Sequence, residues 1–238
     1  GLLAVDRVLT GAADNALIAM RPPGHHALPG RPMGFCLLAN ISLAAHHARS
    51  AHNAGRVLIA DYDVHHGNGT QDVFYHSDKV LTLSIHERDL FPFTGKGSEI
   101  GAGEGIGYNL NLPIPSHFGD VEYSCFFGTV VQNVIEHYLP QFILVSAGFD
   151  AHRDDSISQT EVSTAGFAFF AQTLRYFAEQ YCDGKLLFIL EGGYNVDTLA
   201  ESVLATLDML LAPTVKRPGF NHAPRVLKTI ENELPLTI

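Results

Sequence analysis

The chain has 238 residues, 46% hydrophobic and 17% charged, a composition that excludes a disordered segment and a highly charged fibre. Its formal net charge of −10 argues against nucleic acid as the main partner, and its longest apolar runs are too short for a membrane-spanning helix. The 3 cysteines are widely spaced and imply no disulfide framework, so a reducing compartment is expected and the localisation is predicted to be cytoplasmic. The unusual feature is the content of 13 histidines.

In chain order, short apolar runs alternate with amphipathic helices. The predicted strands cover residues 16–20, 56–60, 80–85, 108–112, 141–147 and 185–190. The predicted helices cover residues 41–53, 119–138, 163–181 and 197–211. No repeat or linker divides the chain, so residues 1–238 are predicted to form a single domain of the α/β class, with a mostly parallel sheet and helices on both faces. The Gly-rich loop over residues 87–107 is long enough to indicate a functional segment, and the presence of an oligomer is left open.

Ionisable or hydroxyl side chains follow most of these strands at their carboxyl ends. They are His25 and His26 after the first strand, Asp61, Asp63, His65 and His66 after the second, Ser84 and His86 on the third, Asp150 after the fifth, and residues 191–194 after the sixth. Open α/β sheets bind ligands at this edge, so we expect one site there. The pair His46 and His47, inside a predicted helix, is interpreted as incidental.

The segment DYDVHHGNG over residues 61–69 is the densest of these groups. Side chains alternate along an extended chain, which places Asp61, Asp63 and His65 on one side. A helix cap would need only one such residue, so we interpret the segment as part of a metal site. Asp150 completes a set of two carboxylates and one imidazole that leaves a position open for water and substrate. Zinc is expected first, and Fe²⁺ or Mn²⁺ also suits oxygen-rich ligation.

Two further motifs offer groups for proton transfer and oxyanion stabilisation. In RPPGHH, the prolines and glycine fix the backbone before His25 and His26, which can act as a general base and its electrostatic partner. Asp61 and Asn68 remain to orient them. Tyr194 follows two glycines in EGGY, from where its hydroxyl can donate a hydrogen bond to a developing oxyanion.

As a set, these motifs resemble the histone deacetylase superfamily, which includes acetylpolyamine amidohydrolases and bacterial histone deacetylase-like amidohydrolases. The motifs run in family order: RPPGHHA (21–27), GFC (34–36), DYDVHHGNGTQ (61–71), LSIH (83–86), GAGEGIGYNLNLP (101–113), SAGFDAH (146–152) and EGGYN (191–195). Asn68 and Glu191 are most similar to the class II and bacterial branch. The resemblance implies an arginase/deacetylase-type three-layer fold and zinc-dependent hydrolysis of N-acetyl amides, with acetylated lysine side chains or small acetylated amines as substrates.

The resemblance also implies a role for each matched residue. Asp63, His65 and Asp150 would bind one zinc ion; His26 would be the general base and acid, His25 its electrostatic partner, Asp61 and Asn68 their orienting residues, and Tyr194 the residue that polarises the acetyl carbonyl. Gly34, Phe35 and Phe91 would line the channel for the alkyl chain. Asp61, Asp63, His65, Ser84 and Ile85 would surround a structural potassium ion.

The sequence departs from the family pattern at three places. The family has a longer segment before RPPGHH, so this chain is expected to lack the N-terminal part of the family domain. Phe93 stands where many relatives have glycine, so the channel mouth is expected to differ. Ile157 stands where polyamine-specific members carry a glutamate, which favours acetyl-lysine. An acetylpolyamine amidohydrolase, a dimanganese ureohydrolase and a catalytically inactive acetyl-binding module remain as alternatives.

Overall fold

The computed structural model describes residues 1–234, and at its centre lies a 6-stranded sheet. The strands are β1 Asn15–Ile18, β2 Val57–Asp61, β3 Val80–Glu87, β4 Asn109–Ile114, β5 Phe142–Ala147 and β6 Leu186–Leu190. Their order is β1-β6-β5-β2-β3-β4, and every neighbouring pair is parallel. Each predicted strand is therefore confirmed, with its ends displaced by at most about two residues, as is usual for element boundaries.

Helices cover both faces of this sheet. Those of the described residues are α1 Leu2–Leu9, α2 Asn40–His52, α3 Asn68–Phe74, α4 Asp120–Phe126, α5 Gln132–Tyr138, α6 Thr164–Tyr181, α7 Val196–Leu211 and α8 Pro224–Glu233. The helix expected over residues 119–138 is α4 and α5 joined by a π-helical turn at Phe127–Val131. Helices α1, α3 and α8 are not among the four helices predicted from the sequence. None of the helices in residues 1–234 is long and apolar enough to cross a membrane.

The two faces of the sheet belong to different parts of the hydrophobic core. Val57 and Ile59 of β2 lie in a cluster with apolar residues of α1 and α2. Leu58 and Ala60 lie in the cluster that includes apolar residues of α4 and α6. Since alternate side chains enter opposite layers, the central strands are apolar at nearly every position. The predicted three-layer α/β fold is confirmed.

The register of the sheet brings the carboxyl ends of its central strands together. Asp61, the last residue of β2, pairs with Ser84 of β3 on one side and Ser146 of β5 on the other. The next strand in the sheet, β6, lies beside β5 and leads through residues 191–195 into α7. The Asn195 side chain caps the first N–H groups of this helix. The segments that follow these strands therefore converge at one edge.

Candidate active site

Asp63, His65 and Asp150 meet at this edge, where the segments after β2 and β5 come together. All three residues are buried, and one ligand atom from each lies within 4.8 Å of the others. His65 Nδ1 is 3.1 Å from Asp63 Oδ1 and 3.1 Å from Asp150 Oδ2. Two carboxylate oxygens and one imidazole nitrogen form a donor set that Zn²⁺ accepts, with a further coordination position left over.

The convergence of Asp63 and His65 depends on side-chain alternation beyond the end of β2. The sequence predicts both residues on an extended segment, but β2 ends at Asp61 and the backbone then bends. Tyr62 and Val64 are nonetheless buried in the hydrophobic core. Burial of these two apolar side chains turns the polar ones to the opposite side, so the expected grouping survives the bend.

Two glycines leave the space that the carboxylates occupy. A Cβ on Gly148 would lie 2.2 Å from Asp63 Oδ2, and one on Gly192 would lie 2.0 Å from Asp150 Oδ2. The Gly192 N–H donates to Asp63 Oδ2 at 2.7 Å, and the Val64 N–H donates to Asp150 Oδ1 at 3.0 Å. The backbone therefore fixes the direction of each carboxylate, and the three residues fit a bound divalent cation.

In the absence of a metal ion, the two carboxylates of this cluster keep His65 protonated. Burial disfavours the charged form of His65, but its hydrogen bonds to Asp150 and Asp63 raise its pKa to about 10. Burial and the negative charge of Asp63 raise the pKa of Asp150 to about 6. For Asp63, the positive charges of His25 and His65 outweigh burial and lower the pKa. A metal ion would bind here by displacing the His65 proton.

His25 and His26 lie beside the cluster, each bonded to the acceptor that the sequence suggested. His25 Nδ1 is 3.0 Å from Asp61 Oδ2, and His26 Nδ1 is 2.8 Å from Asn68 Oδ1. The two rings are 4.0 Å apart, and the His26 ring is 6.0 Å from that of His65. These contacts match the expected orientation of each imidazole, while the catalytic roles remain predictions.

The two imidazoles are held in opposite protonation states. Burial disfavours the charged form of His25, but nearby carboxylates outweigh it and raise its pKa well above the ordinary value; they belong to Asp63, Asp61 and Glu191. Burial, together with the positive charge of His25, lowers the pKa of His26 to about 3. At neutral pH His25 is therefore cationic, and His26 is neutral and able to accept a proton.

The buried carboxylate of Glu191 ties the RPPGHH turn to the end of β6. Its Oε2 accepts the N–H groups of Gly24 at 2.6 Å and His25 at 3.0 Å. Its Oε1 accepts a hydrogen bond from Ser146 Oγ at 3.1 Å. The sequence predicts no anchoring role for Glu191, although an acidic residue directly after a buried apolar strand is itself a sign of a structural anchor.

Two of the predicted channel residues, Gly34 and Phe91, lie against the His26 ring, and the third, Phe35, lies near Tyr194. The Phe91 ring meets that of His26 edge-on at 5.1 Å, and a Cβ on Gly34 would lie 2.4 Å from His26 Cδ2. Phe35 lies 6.2 Å from the Tyr194 ring, measured between centroids, and is 73% exposed. The structure thus brings Gly34, Phe35 and Phe91 together around the candidate site, as expected for a channel wall.

The Tyr194 hydroxyl is kept protonated by its surroundings. Burial and the negative charges of Asp63 and Asp150 raise the pKa of Tyr194 above its ordinary value. The Arg21 guanidinium lies 5.6 Å from the centre of the Tyr194 ring and donates a hydrogen bond to the Gly193 carbonyl. A protonated phenol in this position is a hydrogen-bond donor rather than a base.

Ile157 and Phe93 lie at the periphery of this arrangement. Ile157 is half-buried and borders a surface cavity of about 330 Å³ together with Leu90. Phe93 is 74% exposed and has φ 63°, in the left-handed region that favours glycine. The backbone itself therefore gives a physical reason for a glycine at this position in relatives.

The residues expected to surround potassium lie close together: Asp61 pairs with Ser84 between β2 and β3, and its Oδ1 accepts the N–H of Asp63 at 3.1 Å. A void of about 10 Å³ is bordered by Asp61, Ser84 and Thr70, whose buried hydroxyl has no hydrogen-bond partner among the described residues. Asp63, His65 and Ile85 do not border this void. The unpaired Thr70 hydroxyl leaves a hydrogen-bonding group for a water at this void, and the potassium ion stays a prediction.

The comparisons with known proteins agree with these motifs. The chain matches the family described as histone deacetylase domain over residues 1–210. It is 40% identical to histone deacetylase 14, chloroplastic, of Arabidopsis thaliana over 216 residues, which are 89% of this chain and 51% of that protein. It is also 40% identical to the histone deacetylase-like amidohydrolase of Pseudomonas aeruginosa over 210 residues, 88% of this chain and 55% of that protein.

The fold is shared with a solved structure of the same family. The crystal structure of the HDA15 HD domain matches with a TM-score of 0.86 and 36% sequence identity, over 97% of this chain and 63% of that chain. The chain spans about half the length of the curated relatives it matches. The matched domain, the shared fold and the buried Asp-His-Asp cluster lead to one conclusion: this chain belongs to the histone deacetylase family.

Proposed function

We propose that the protein is a zinc-dependent deacetylase that hydrolyses N-acetyl amides to acetate and a free amine. The observation that carries this proposal is the buried cluster of Asp63, His65 and Asp150, with the cationic His25 and the neutral His26 at its edge. An amide is a weak electrophile with a poor leaving group. Its hydrolysis therefore needs an activated water, a stabilised oxyanion and a proton for the departing nitrogen.

The cluster and the histidine pair divide the proton chemistry between them. Asp63, His65 and Asp150 would hold one Zn²⁺, or Fe²⁺, and the bound ion would supply Lewis-acid chemistry that makes a water more acidic. His26, neutral and oriented by Asn68, accepts the water proton and later donates it to the leaving nitrogen. His25 stays charged, and its positive charge opposes full protonation of His26 until negative charge develops on the substrate.

Tyr194 supplies the hydrogen bond to the acetyl oxygen. Its hydroxyl is protonated, and its position after Gly192 and Gly193 lets the side chain lean toward the cluster. A single oxyanion donor of this kind contributes about 3–4 kcal/mol to lowering the barrier. This contribution arises in the transition state, because the charge on oxygen develops there.

We propose acetylated lysine side chains as the substrate class. Gly34, Phe35 and Phe91 form an apolar surround for an alkyl chain next to His26. At the periphery, Ile157 offers no carboxylate to a second ammonium, which disfavours acetylpolyamines. Apolar channel walls with a few polar groups at the base are typical of small-ligand sites.

The test measures acetate release by metal-free and zinc-loaded protein from three substrates: an acetyl-lysine peptide, N-acetylputrescine and acetylspermidine. Turnover should require zinc and be most efficient, in kcat/KM, with the peptide. Asp150→Ala should remove both the buried zinc and turnover. Asp154→Ala alters an exposed neighbour and should retain both. Polyamine preference would replace the substrate proposal, two metal ions bound together at the buried cluster would favour a ureohydrolase, and peptide binding without turnover would indicate a binding module.

A further inference from the structure

A second group of metal-ligating side chains lies between α1 and α2, outside the candidate active site. His47 Nε2 is 2.6 Å from Asp6 Oδ1, and His52 Nε2 is 2.7 Å from the same oxygen. One ligand atom of each residue lies within 4.8 Å of the other two. Sequence analysis interpreted His47 as incidental, because nothing in the pattern of α2 indicates that α1 supplies a carboxylate.

We propose that Asp6, His47 and His52 form a second metal site, which binds a divalent transition cation of the Zn²⁺ class and ties α1 to α2. Two imidazole nitrogens and one carboxylate oxygen suit Zn²⁺, and also Co²⁺, Ni²⁺ and Cu²⁺. The side chains of His47 and His52 are 25% and 19% exposed and that of Asp6 is 45% exposed. A cation can therefore enter from solvent and keep water in its remaining positions.

The backbone that carries these ligands is held by apolar packing. Val5 and Val8 of α1 are buried in one cluster with Ala44 and Ala48 of α2. The ligands therefore project from two packed helices rather than from loops. Metal–nitrogen and metal–oxygen distances of about 2.0–2.2 Å place tetrahedral ligand atoms about 3.3 Å apart, so each histidine–aspartate contact must open by roughly 0.7 Å and the two imidazole nitrogens, within 4.8 Å of each other, must reach the same spacing. Small rotations of the side chains provide that change.

The electrostatic surroundings favour a cation at this place. His52 is the last residue of α2, which ends at Asn53 in a left-handed conformation. The carboxyl end of a helix carries partial negative charge and stabilises positive charge in its last turn. Among residues 1–234, Asp6 forms ion pairs with these two imidazoles and with no lysine or arginine. The carboxylate therefore has no competing cationic side chain.

The position of the site separates its function from catalysis. Only residues 53–56 join the end of α2 to the start of β2, so His52 lies toward the amino end of the strand. The candidate active site follows the carboxyl end of β2, at the opposite edge of the sheet. A metal ion at Asp6 would hold the amino-terminal helix against the sheet layer and stabilise the fold, and this inference does not depend on the proposed deacetylase activity.

The experiment uses the full chain with its first zinc equivalent bound and excess metal removed. Titration with ZnCl₂, followed by calorimetry and elemental analysis, should show one further equivalent. The Tm should rise by about 5–10 °C when free zinc is one hundred times the Kd of this second site. A chain that takes up only one equivalent and shows no rise in Tm would overturn the proposal and leave Asp6 as a hydrogen-bond acceptor.

Matched variants identify the ligands. His47→Gln and His52→Gln should each weaken the second zinc at least tenfold and reduce the rise in Tm at the same free zinc by about half or more, while acetate release stays unchanged. His117→Gln is the control, because His117 is an exposed imidazole 2.9 Å from a single carboxylate, that of Glu161. Asp150→Ala should lose the buried zinc and keep the second equivalent. A second equivalent that persists in both His47→Gln and His52→Gln would show that the ligands are assigned wrongly.

Discussion

The carboxylate of Asp155 accepts a hydrogen bond from the backbone N–H of Tyr194 at 2.6 Å and another from that of Asn195 at 3.1 Å. Its second oxygen accepts the N–H of Ile157 at 3.2 Å. Asp155 is buried, and it joins the segment after β5 to the segment after β6. It touches the backbone of Tyr194 rather than the reacting atoms, so it acts as a positioning residue for that phenol.

Asp155→Asn should lower kcat by roughly tenfold to a hundredfold, because hydrogen bonds to a charged group contribute about 1.5–3 kcal/mol. Zinc content and the KM for an acetyl-lysine peptide should change little. Asp154→Asn is the matched control, since that side chain is 63% exposed and next in sequence. Equal losses in both variants, or a loss confined to KM, would contradict a role in positioning Tyr194.

Tyr194→Phe should lower kcat by a hundredfold to a thousandfold, because the lost hydroxyl acts mainly when charge develops on the acetyl oxygen. The residues proposed to hold zinc are Asp63, His65 and Asp150, so zinc content and Tm should stay as in the unaltered chain. Steady-state kinetics and elemental analysis measure both. Full turnover in this variant would mean that Tyr194 only packs against the channel and that another group stabilises the oxyanion.

Local pattern predicts the strands and the grouping of Asp63 with His65 well, and the reason is physical. Strands such as β5 are buried on both faces, so nearly all their residues are apolar and a run of apolar residues marks the strand in the sequence. The alternation of Asp63 and His65 with Tyr62 and Val64 is likewise a local property, and it holds after the strand ends. These features need no knowledge of distant residues.

The remaining features depend on packing between distant segments. Asp155 and Asp154 are adjacent acids in a polar loop, and only the arrival of residues 194–195 makes the first of them a buried acceptor. His47 acquires its partner because α1, which was not predicted, lies against α2. The π-helical turn at Phe127–Val131 similarly interrupts a helix whose apolar periodicity is nearly continuous.

The affinity for zinc at the buried cluster should rise about tenfold per pH unit between roughly pH 7 and 9, because one proton leaves as the metal binds. In the metal-free protein the pKa of His65 is raised to about 10, so this imidazole is protonated throughout that range. Competition with a chelator of known pH dependence measures the affinity. An affinity that does not change with pH would contradict the assignment of His65 as a ligand.

The raised pKa of His65 also predicts how the stability of the metal-free protein changes with pH. A raised pKa means that the protonated His65 stabilises the metal-free fold fully below about pH 6.5, its ordinary value, and that this stabilisation disappears as the pH rises through about 10. The Tm of metal-free protein should therefore fall between these limits. The Tm of zinc-loaded protein should fall less over the same pH range, since zinc binding requires His65 to be neutral at every pH.

Gly192→Ala should disrupt the metal cluster while leaving the sheet intact. The added Cβ would lie 2.0 Å from Asp150 Oδ2 and 2.6 Å from Asp63 Oδ2, so both carboxylates must move from the positions in which they converge on His65. Overpacking of this kind costs about 1–3 kcal/mol, which corresponds to a fall in Tm of roughly 2–12 °C for a chain of this length. The loss of zinc affinity should be larger than the loss of folding stability, because moving the carboxylates by about 1 Å spoils metal coordination while most of the packing is kept. Gly30→Ala provides the control, since its Cβ would meet nothing within 4 Å and both zinc affinity and Tm should stay unchanged. If Gly192→Ala binds zinc as tightly as Gly30→Ala does, the space left by Gly192 is not needed for the carboxylates to hold the ion.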